Sequence, residues 1–371
     1  MKNVKVNTQI PYDVKVGSGI LGQAGKWIAE CVSGKKIALV ADAQAMAECG
    51  GVLKESLAGA GFTVIPVEVT ESEGKTAEEM MEVLRRMADR HMTRSDAVVA
   101  LGGSVTGNVA GMAAALYQRG ISCIQIPTTL LSMVDSSVGG KLAVDMPQGK
   151  NMIGVVRQPA LVICDVSLLQ DLRSATNKVG WSEIIKTGMI GNRDLLDFLA
   201  EYPEGDRLED VVAMCVSLKG AIVAKDEEDT GERMILNFGH TAGHAIERLS
   251  AGKTGHGEAV AIGMAVMTRA FVRKGTCTKE TRTILEALLD HYGLPKTTEY
   301  TAEQLFEAAK SDKKRRDDRI TLIVPEFPGK CVLREMNFDE LRGVFELGLP
   351  EMESGVKPAD PDEKIRMGSL G

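Results

Sequence analysis

The chain has 371 residues, 44% of them apolar and 26% charged, with a formal net charge of −7, which are ordinary proportions for a folded protein long enough for two sizeable cores. The acidic balance argues against general nucleic-acid binding, which leans on basic surfaces, although a local cluster of lysines and arginines can still hold an anionic small molecule. No run of eighteen apolar residues occurs, so no membrane span is expected, and seven cysteines scattered singly without a C-x-x-C pair predict free thiols in a reducing cytoplasm.

The first twenty residues alternate polar and apolar side chains (VKVNTQI, then YDVKVG) and predict strands rather than a signal peptide. A helix from about Ile20 to Cys31 follows. KKIALVADAQA then gives the apolar run of a buried parallel strand, ending in Asp42. An acid in that place either faces a ribose hydroxyl or caps the next helix. A helix over roughly Ala47 to Ala60, the strand FTVIPVEV and a helix from Thr76 to His91 come next, the last with Thr76 and Glu79 in a capping-box pattern. DAVVALGGSVTGNVAGMAAALYQRG reads as strand, glycine turn and helix, CIQIPTT as a strand, and ALVICDV as the last clear strand. Strand and helix alternating in this way predict a parallel sheet with helices on its faces.

After about residue 170 helical periodicity takes over, through KVGWSEIIKTGMI, LLDFLAEY and LEDVVAMCVSLKGAIVAKDEED to TAEQLFEAAKSDKKR. RITLIVPEFPGKCVLREM predicts a late β-hairpin. The expectation is an α/β protein: a parallel-sheet nucleotide-binding domain over 1–170 and a mainly α-helical metal- and substrate-binding domain over 171–350, closely packed with a cleft between them. The polar tail, 351–371, is expected to be poorly ordered.

Only five histidines occur, and His240, His244 and His256 fall within ILNFGHTAGHAIERLSAGKTGHGEA. His240 and His244, four apart, project from one face of a helix. That spacing suits either a shared divalent metal or a division between one ligand and one proton carrier. Gly239, Gly243, Gly255 and Gly257 sit where backbone must approach something closely. The turn Leu101–Asn108 ends a strand and opens a helix, an arrangement for phosphate binding or for tight helix–sheet packing. Val134–Lys141 and Gly149–Gly154 join glycines to Lys141, Lys150 and Asn151, which suits a phosphate or carboxylate. Glu183 and Lys186 are one turn apart, and Glu183 offers the acidic ligand that the histidine window lacks.

These motifs, GGSVTGN, YQRG, IPTTLLSMVDSSVGGK, GKNMIG, SEIIK, LNFGHTAGHAIE and HGEAVAIGM, resemble the 3-dehydroquinate synthase family of sugar-phosphate cyclases in order and spacing, from about residue 10 to 345. The resemblance implies metal ligands Glu183, His240 and His256, for zinc or cobalt, with His244 handling protons. It implies an NAD site on Asp42, Gly102, Gly103, Ser104, Val105, Thr128 and Thr129, helped by Lys141 and Lys150. The catalytic and substrate groups would be Lys141, Asn151, Lys186, Arg233, Asp135, Lys150, Lys219, Asn237 and Lys330. Arg119 would reach the phosphate in a neighbouring subunit, which implies a homodimer. The implied substrate is a sugar acid phosphate, 3-deoxy-D-arabino-heptulosonate 7-phosphate. It would be turned into 3-dehydroquinate by transient oxidation, phosphate elimination, re-reduction and aldol closure.

Three stretches depart from the family pattern. The turn G-G-G-V-x-G-D reads with Ser104 and Asn108. The ribose-side G-E-x-x-K is replaced by Thr70–Lys75, so that Glu71 or Glu73 substitutes or the contact is lost. Leu172–Thr176 replaces L-P-x-R-E before the metal helix. The altered turn also resembles the branch that makes 2-deoxy-scyllo-inosose from glucose 6-phosphate, whereas VDSSVGGK, Arg233 and Lys330 match the synthase. A metal-dependent polyol dehydrogenase is the more distant alternative.

Overall fold

The computed structural model describes residues 1–70, 74–169, 171–172, 174–202, 207–310 and 319–350. Glu71, Glu73, Arg173 and the 351–371 tail lie outside the described residues. The first half runs β1 (Lys2–Val6), β2 (Tyr12–Gly17), α1 (Ala24–Cys31), β3 (Lys36–Asp42), α2 (Ala43–Glu48), α3 (Gly50–Gly59), β4 (Thr63–Val69), α4 (Ala77–Asp89), β5 (Ala97–Gly102), α5 (Ser104–Leu116), β6 (Ser122–Pro127), β7 (Lys141–Met146), β8 (Gly149–Val156) and β9 (Leu161–Asp165). The second half is α6 (Ala175–Gly191), α7 (Arg193–Glu201), α8 (Leu208–Lys225), α9 (His240–Leu249), α10 (His256–Arg273), α11 (Lys279–His291) and α12 (Ala302–Lys310), followed by the hairpin β10 (Arg319–Phe327) and β11 (Lys330–Asn337) and by α13 (Phe338–Gly348).

Seven strands form one sheet in the order β1-β2-β9-β6-β5-β3-β4, parallel throughout except for the antiparallel pair β1–β2. β3 and β5 are buried along nearly their whole length, as near-continuous apolar runs predict for a sheet covered on both faces. Successive side chains point to opposite faces. Ile37, Leu39, Val99 and Leu101 pack in one core with residues of α1 and α3, and Ala38, Val40, Val98 and Ala100 in another with α4 and α5. A third core joins Val6, Val14, Val16 and Cys164 to helices of the second half, among them Ile184, Val212, Ala242 and Val260. The chain reverses its direction of travel across the sheet between β3 and β5, and the pairs Ala41↔Leu101 and Gly102↔Pro127 bring Asp42, Gly102 and Thr128 to one carboxyl edge. Open parallel sheets bind ligands in that crevice.

Several elements differ from expectation. The helix placed at Ala47–Ala60 is two helices, broken at Cys49, whose backbone is not helical (φ −134°). Leu21–Gln23 is a short 3₁₀ turn ahead of α1. The two lysine-bearing stretches belong to one antiparallel hairpin: Lys141 opens β7, and Lys150 and Asn151 lie in β8. Thr76 caps α4 by accepting from the Glu79 amide (3.2 Å). The Glu79 carboxylate, however, accepts from the Thr70 amide (3.2 Å), because the Thr76 N–H is already given to the Gly74 carbonyl. All seven cysteines are free, with only Cys31 exposed. Among the described residues no helix is long and apolar enough to cross a membrane.

Asp96, just before β5, ties its own turn to the start of β3. Its buried carboxylate accepts from the amides of Thr93 (2.6 Å), Lys35 (3.0 Å) and Lys36 (2.9 Å) and from the Thr93 hydroxyl (3.0 Å). Burial opposes its charge, but these donors outweigh it and hold the carboxyl below its ordinary value. A carboxyl depressed in the folded state stabilises at neutral pH, and that contribution is lost as the pH falls through and below about 4. Asp96→Ala strands these donors and is expected to cost about 2–4 kcal/mol. The check is the urea midpoint at pH 7, with the gap from wild type narrowing at pH 3.

Candidate active site

Helix α6 starts at Ser174, whose hydroxyl accepts from the Asn177 amide (3.3 Å), and its second half is buried from Trp181 to Ile190. On it Glu183 and Lys186 form an ion pair, with side chains only 2% and 4% exposed. Helix α9 opens after Gly239, which holds φ +79°, and presents His240 and His244. Helix α10 opens on His256. The three helices cross closely. A Cβ at Gly263 would stand 2.0 Å from the Gly239 carbonyl oxygen, one at Gly243 3.1 Å from the Ala259 carbonyl oxygen, and one at Gly257 2.5 Å from Val179 Cα. Of the four glycines flagged in the sequence, Gly255 is different: it has open space and gives its N–H to the Glu258 carboxylate (3.2 Å) as the helix cap.

This packing brings Glu183 Oε1 to 3.6 Å from His256 Nε2 and 3.9 Å from His240 Nε2. Donor atoms of the three residues lie within 4.8 Å of one another, the one cluster of that kind among the described residues. Ligands about 2.1 Å from one ion stand roughly 3.5 Å apart, so a small inward shift would make a metal site. Glu183 Oε1 is buried with no hydrogen-bond partner, as suits an oxygen reserved for a cation. His244 is outside the donor set, its ring centroid 5.4 Å from that of His240 and 6.4 Å from that of His256.

The electrostatics agree with cation binding. Burial opposes the Glu183 charge, but Lys186 and the two histidines hold the carboxyl well below its usual range. Burial and the Lys186 charge push His240 well down, leaving a neutral imidazole. Burial also opposes a charged His256, yet the carboxylates of Glu183 and Glu247 on either side of the ring outweigh it and push it up to about 10. A metal would take the place of that proton. Lys186 is raised because Glu183 and Asp135 overcome its burial, whereas burial wins at Lys219 and lowers it.

Beside this cluster a cavity of about 740 Å³ is lined by Lys75, Asn108, Asp135, Lys141, Asn151, Lys219, Asp229 and Arg233, with apolar residues of β7 and β8. Lys219 Nζ donates to the Asp135 carbonyl (2.6 Å) and carboxylate (2.8 Å). Arg233 is 2% exposed and donates to the carbonyls of Glu227 (2.6 Å) and Gly139 (2.7 Å), leaving Nε without a partner. Lys141 is paired with Asp229, and Lys75 with Asn151. An anion entering the cavity would meet cations held by acids or amides that it can replace.

Not every expected residue lines this space. Lys150 is exposed on β8, and Asn237 donates to the Met234 carbonyl (3.0 Å). Lys330 faces Glu326 (3.7 Å) and lies over the Phe327 ring. Arg119 is exposed in a turn where Gln118, Arg119 and Gly120 all hold positive φ. At the sheet edge Asp42 caps α2 through the Ala45 amide (2.8 Å), and a Cβ at Gly102 would lie 2.8 Å from the Asp42 carboxylate. The cradle next to the bare N-terminus of α5 fits a pyrophosphate. Ser104 bonds Ser132 (3.1 Å) and Ser136 (2.8 Å), Thr129 bonds Ser132 (2.8 Å), and the Thr128 amide donates to the Gly102 carbonyl (3.0 Å). The Asn108 amide donates to the Ser104 carbonyl (2.8 Å) while its oxygen accepts from Ala143 (2.9 Å); an aspartate could do only the second.

Sequence reasoning missed Asp229 and Glu247 and gave Lys75 and Asn108 no place in the cavity. Asp229 stands at the end of LEDVVAMCVSLKGAIVAKDEED, which reads as one helical run. Only its left-handed backbone (φ +57°) and its partner Lys141 turn it inward.

The chain matches the model of the 3-dehydroquinate synthase N-terminal region over residues 65–178 and that of the C-terminal region over 180–315. The 3-dehydroquinate synthase of Clostridium kluyveri is 36% identical over 351 residues, covering 92% of this chain and 98% of the relative. That of Caulobacter vibrioides is 39% identical over 329 residues, 84% of this chain and 89% of the relative. A 2-deoxy-scyllo-inosose synthase structure, complexed with carbaglucose-6-phosphate, NAD+ and Co2+, superposes with a TM-score of 0.83 at 25% identity, over 94% of this chain and all of the other. An iron-containing alcohol dehydrogenase from Thermotoga maritima shares the fold, with a TM-score of 0.63 at 18% identity over 92% of this chain and 99% of that one.

Proposed function

Since this chain belongs to the 3-dehydroquinate synthase family, whose enzymes convert 3-deoxy-D-arabino-heptulosonate 7-phosphate to 3-dehydroquinate and phosphate, we propose which of its residues carry each part of that reaction. The observation that supports the assignment is the Glu183/His240/His256 set, with Glu183 buried and the two histidines half-buried, beside a cavity lined by Lys75, Lys141, Lys219 and Arg233. A zinc or cobalt ion held by Glu183, His240 and His256 would supply Lewis acidity toward the substrate hydroxyls. NAD, lying on Asp42, Gly102, Gly103, Ser104, Val105, Thr128 and Thr129 with Lys141 and Lys150, would take a hydride and return it, for no net redox change.

The chain's own residues bind, orient and move protons. Lys141, Lys150 and Asn151, with Arg119 from a neighbouring subunit, hold the phosphate. Arg233, Lys219, Lys330, Asp135 and Asn237 hold the carboxylate and hydroxyls, and fix the substrate for a reaction that depends on orientation. Lys186 keeps Glu183 ionised. His244, outside the donor set but one helical turn from His240, takes up the proton of the hydroxyl that is oxidised. The departing phosphate carries off a proton on its own oxygen. Residues 1–170 serve as the cofactor half and 171–350 as the metal and substrate half of a cytoplasmic homodimer.

Purified protein loaded with metal and NAD should release phosphate from the heptulosonate phosphate, with no build-up of NADH at 340 nm. Release from glucose 6-phosphate alone would transfer the protein to the inosose branch. NADH accumulating with a polyol would make it a dehydrogenase. Gly139 tests the role of Arg233. It holds φ +97°, and a Cβ there would lie 2.5 Å from Arg233 Nη2 and 2.9 Å from Val223 Cγ2. Gly139→Ala should displace the guanidinium and lower kcat/KM for phosphate release by about a hundredfold, with metal content unchanged.

A further inference from the structure

We infer that Glu247 is a positioning residue that sets the tautomer of His256 and holds its Nε2 toward the metal; this rests on the metal site assigned above. Glu247 lies three residues beyond His244 on α9, on the same face as both histidines of that helix. Its Oε2 stands 3.3 Å from His256 Nδ1, while His256 Nε2 points at Glu183 Oε1, 3.6 Å away. A carboxylate can only accept, so the hydrogen sits on Nδ1 and the lone pair of Nε2 is left for a cation. His240 is oriented in the same sense by its own turn, through the Phe238 carbonyl 3.2 Å from Nδ1.

The two histidines differ in what fixes them. The partner of His240 is backbone two residues away. His256 is the first residue of α10, after the loop that closes α9, and the group facing its Nδ1 comes from the neighbouring helix. The Glu247 side chain is 24% exposed and that of His256 37%, so both are partly screened from water. A negative partner also makes the imidazole a stronger donor.

The experiment is a Co2+ titration of the metal-free full-length protein, followed by the visible absorption of the bound ion. Glu247→Ala should weaken Co2+ binding by about 10- to 100-fold. Glu247→Gln, whose carbonyl can still accept the Nδ1 hydrogen, should weaken it by less, about 3- to 10-fold. Metal-free melting temperature and NAD affinity should match wild type in Glu247→Gln, effects that a merely structural role would not separate. Wild-type Co2+ affinity in Glu247→Gln and Glu247→Ala, with binding lost in His256→Ala, would overturn the inference alone. Wild-type affinity in His256→Ala would instead overturn the metal assignment beneath it.

Discussion

Replacing Glu183 by glutamine is expected to strip the protein of metal and to lower phosphate release by about three orders of magnitude or more, as loss of several kcal/mol of transition-state stabilisation requires. Glutamine keeps the size of the side chain but removes the charge that faces His240, His256 and Lys186. The neutral amide is a poor ligand for a divalent ion, and its NH2 group can turn toward Lys186. That lysine is 4% exposed and would be left buried beside Lys219, with Asp135 shared between them. Breaking a buried pair in this way costs about 3–5 kcal/mol, less whatever Lys186 recovers by giving up its proton. The variant should therefore show a lowered melting temperature as well as an empty site. Metal content by mass spectrometry and phosphate release together decide it. A protein that keeps one metal per chain and stays within tenfold of wild-type activity would remove Glu183 from the ligand set.

The second large effect is expected at a residue that touches neither metal nor substrate. A methyl group at Gly263 would sit 2.0 Å from the Gly239 oxygen, 2.9 Å from its carbonyl carbon and 3.0 Å from the Gly243 nitrogen. All three obstacles are backbone, so α9 and α10 must move apart. Overpacking against backbone costs about 3 kcal/mol or more. Two of the displaced atoms belong to the residue before His240 and the third to the residue before His244, so the donor set should open with them. Gly263→Ala is expected to melt at lower temperature and to bind Co2+ weakly or not at all. Gly255→Ala is the control. Its Cβ has only Glu258 Oε2 nearby, at 3.8 Å, and the variant should stay within about 1 kcal/mol of wild type. Equal behaviour of the two variants would mean that helix contact does not hold the site together.

The alternation of strand and helix could be read directly, because parallel strands buried on both faces leave long apolar runs such as KIALVAD and AVVALG. The donor triad was legible through its resemblance to a family, since Glu183 stands over fifty residues from His240 and no helical spacing links them. What stayed hidden shares one physical cause. Lys141, Lys150 and Asn151 looked like two independent loops because β8 is exposed along nearly its whole length and so carries no alternation of apolar and polar residues. Asp229 looked like the end of the helical run LEDVVAMCVSLKGAIVAKDEED, because nothing in an acidic run shows that the helix stops at Lys225 and that one acid turns inward through a left-handed backbone. The role of Asn108 could not be read either, since its two partners, Ser104 and Ala143, come from separate elements. Patterns along the chain report which face a side chain takes; they do not report what another segment brings to that face.

The core that joins β1, β2 and β9 to the helices constrains how such a protein can be recombined. Cutting at residue 170 would leave Val6, Val14 and Val16 with one half and their helical neighbours with the other. A graft that exchanged the helical half for that of a relative would have to carry the first seventeen residues along, or match their side chains across the joint. The N-terminal hairpin thus travels as a graft partner of the helical half, although in sequence it stands at the far end of the sheet half.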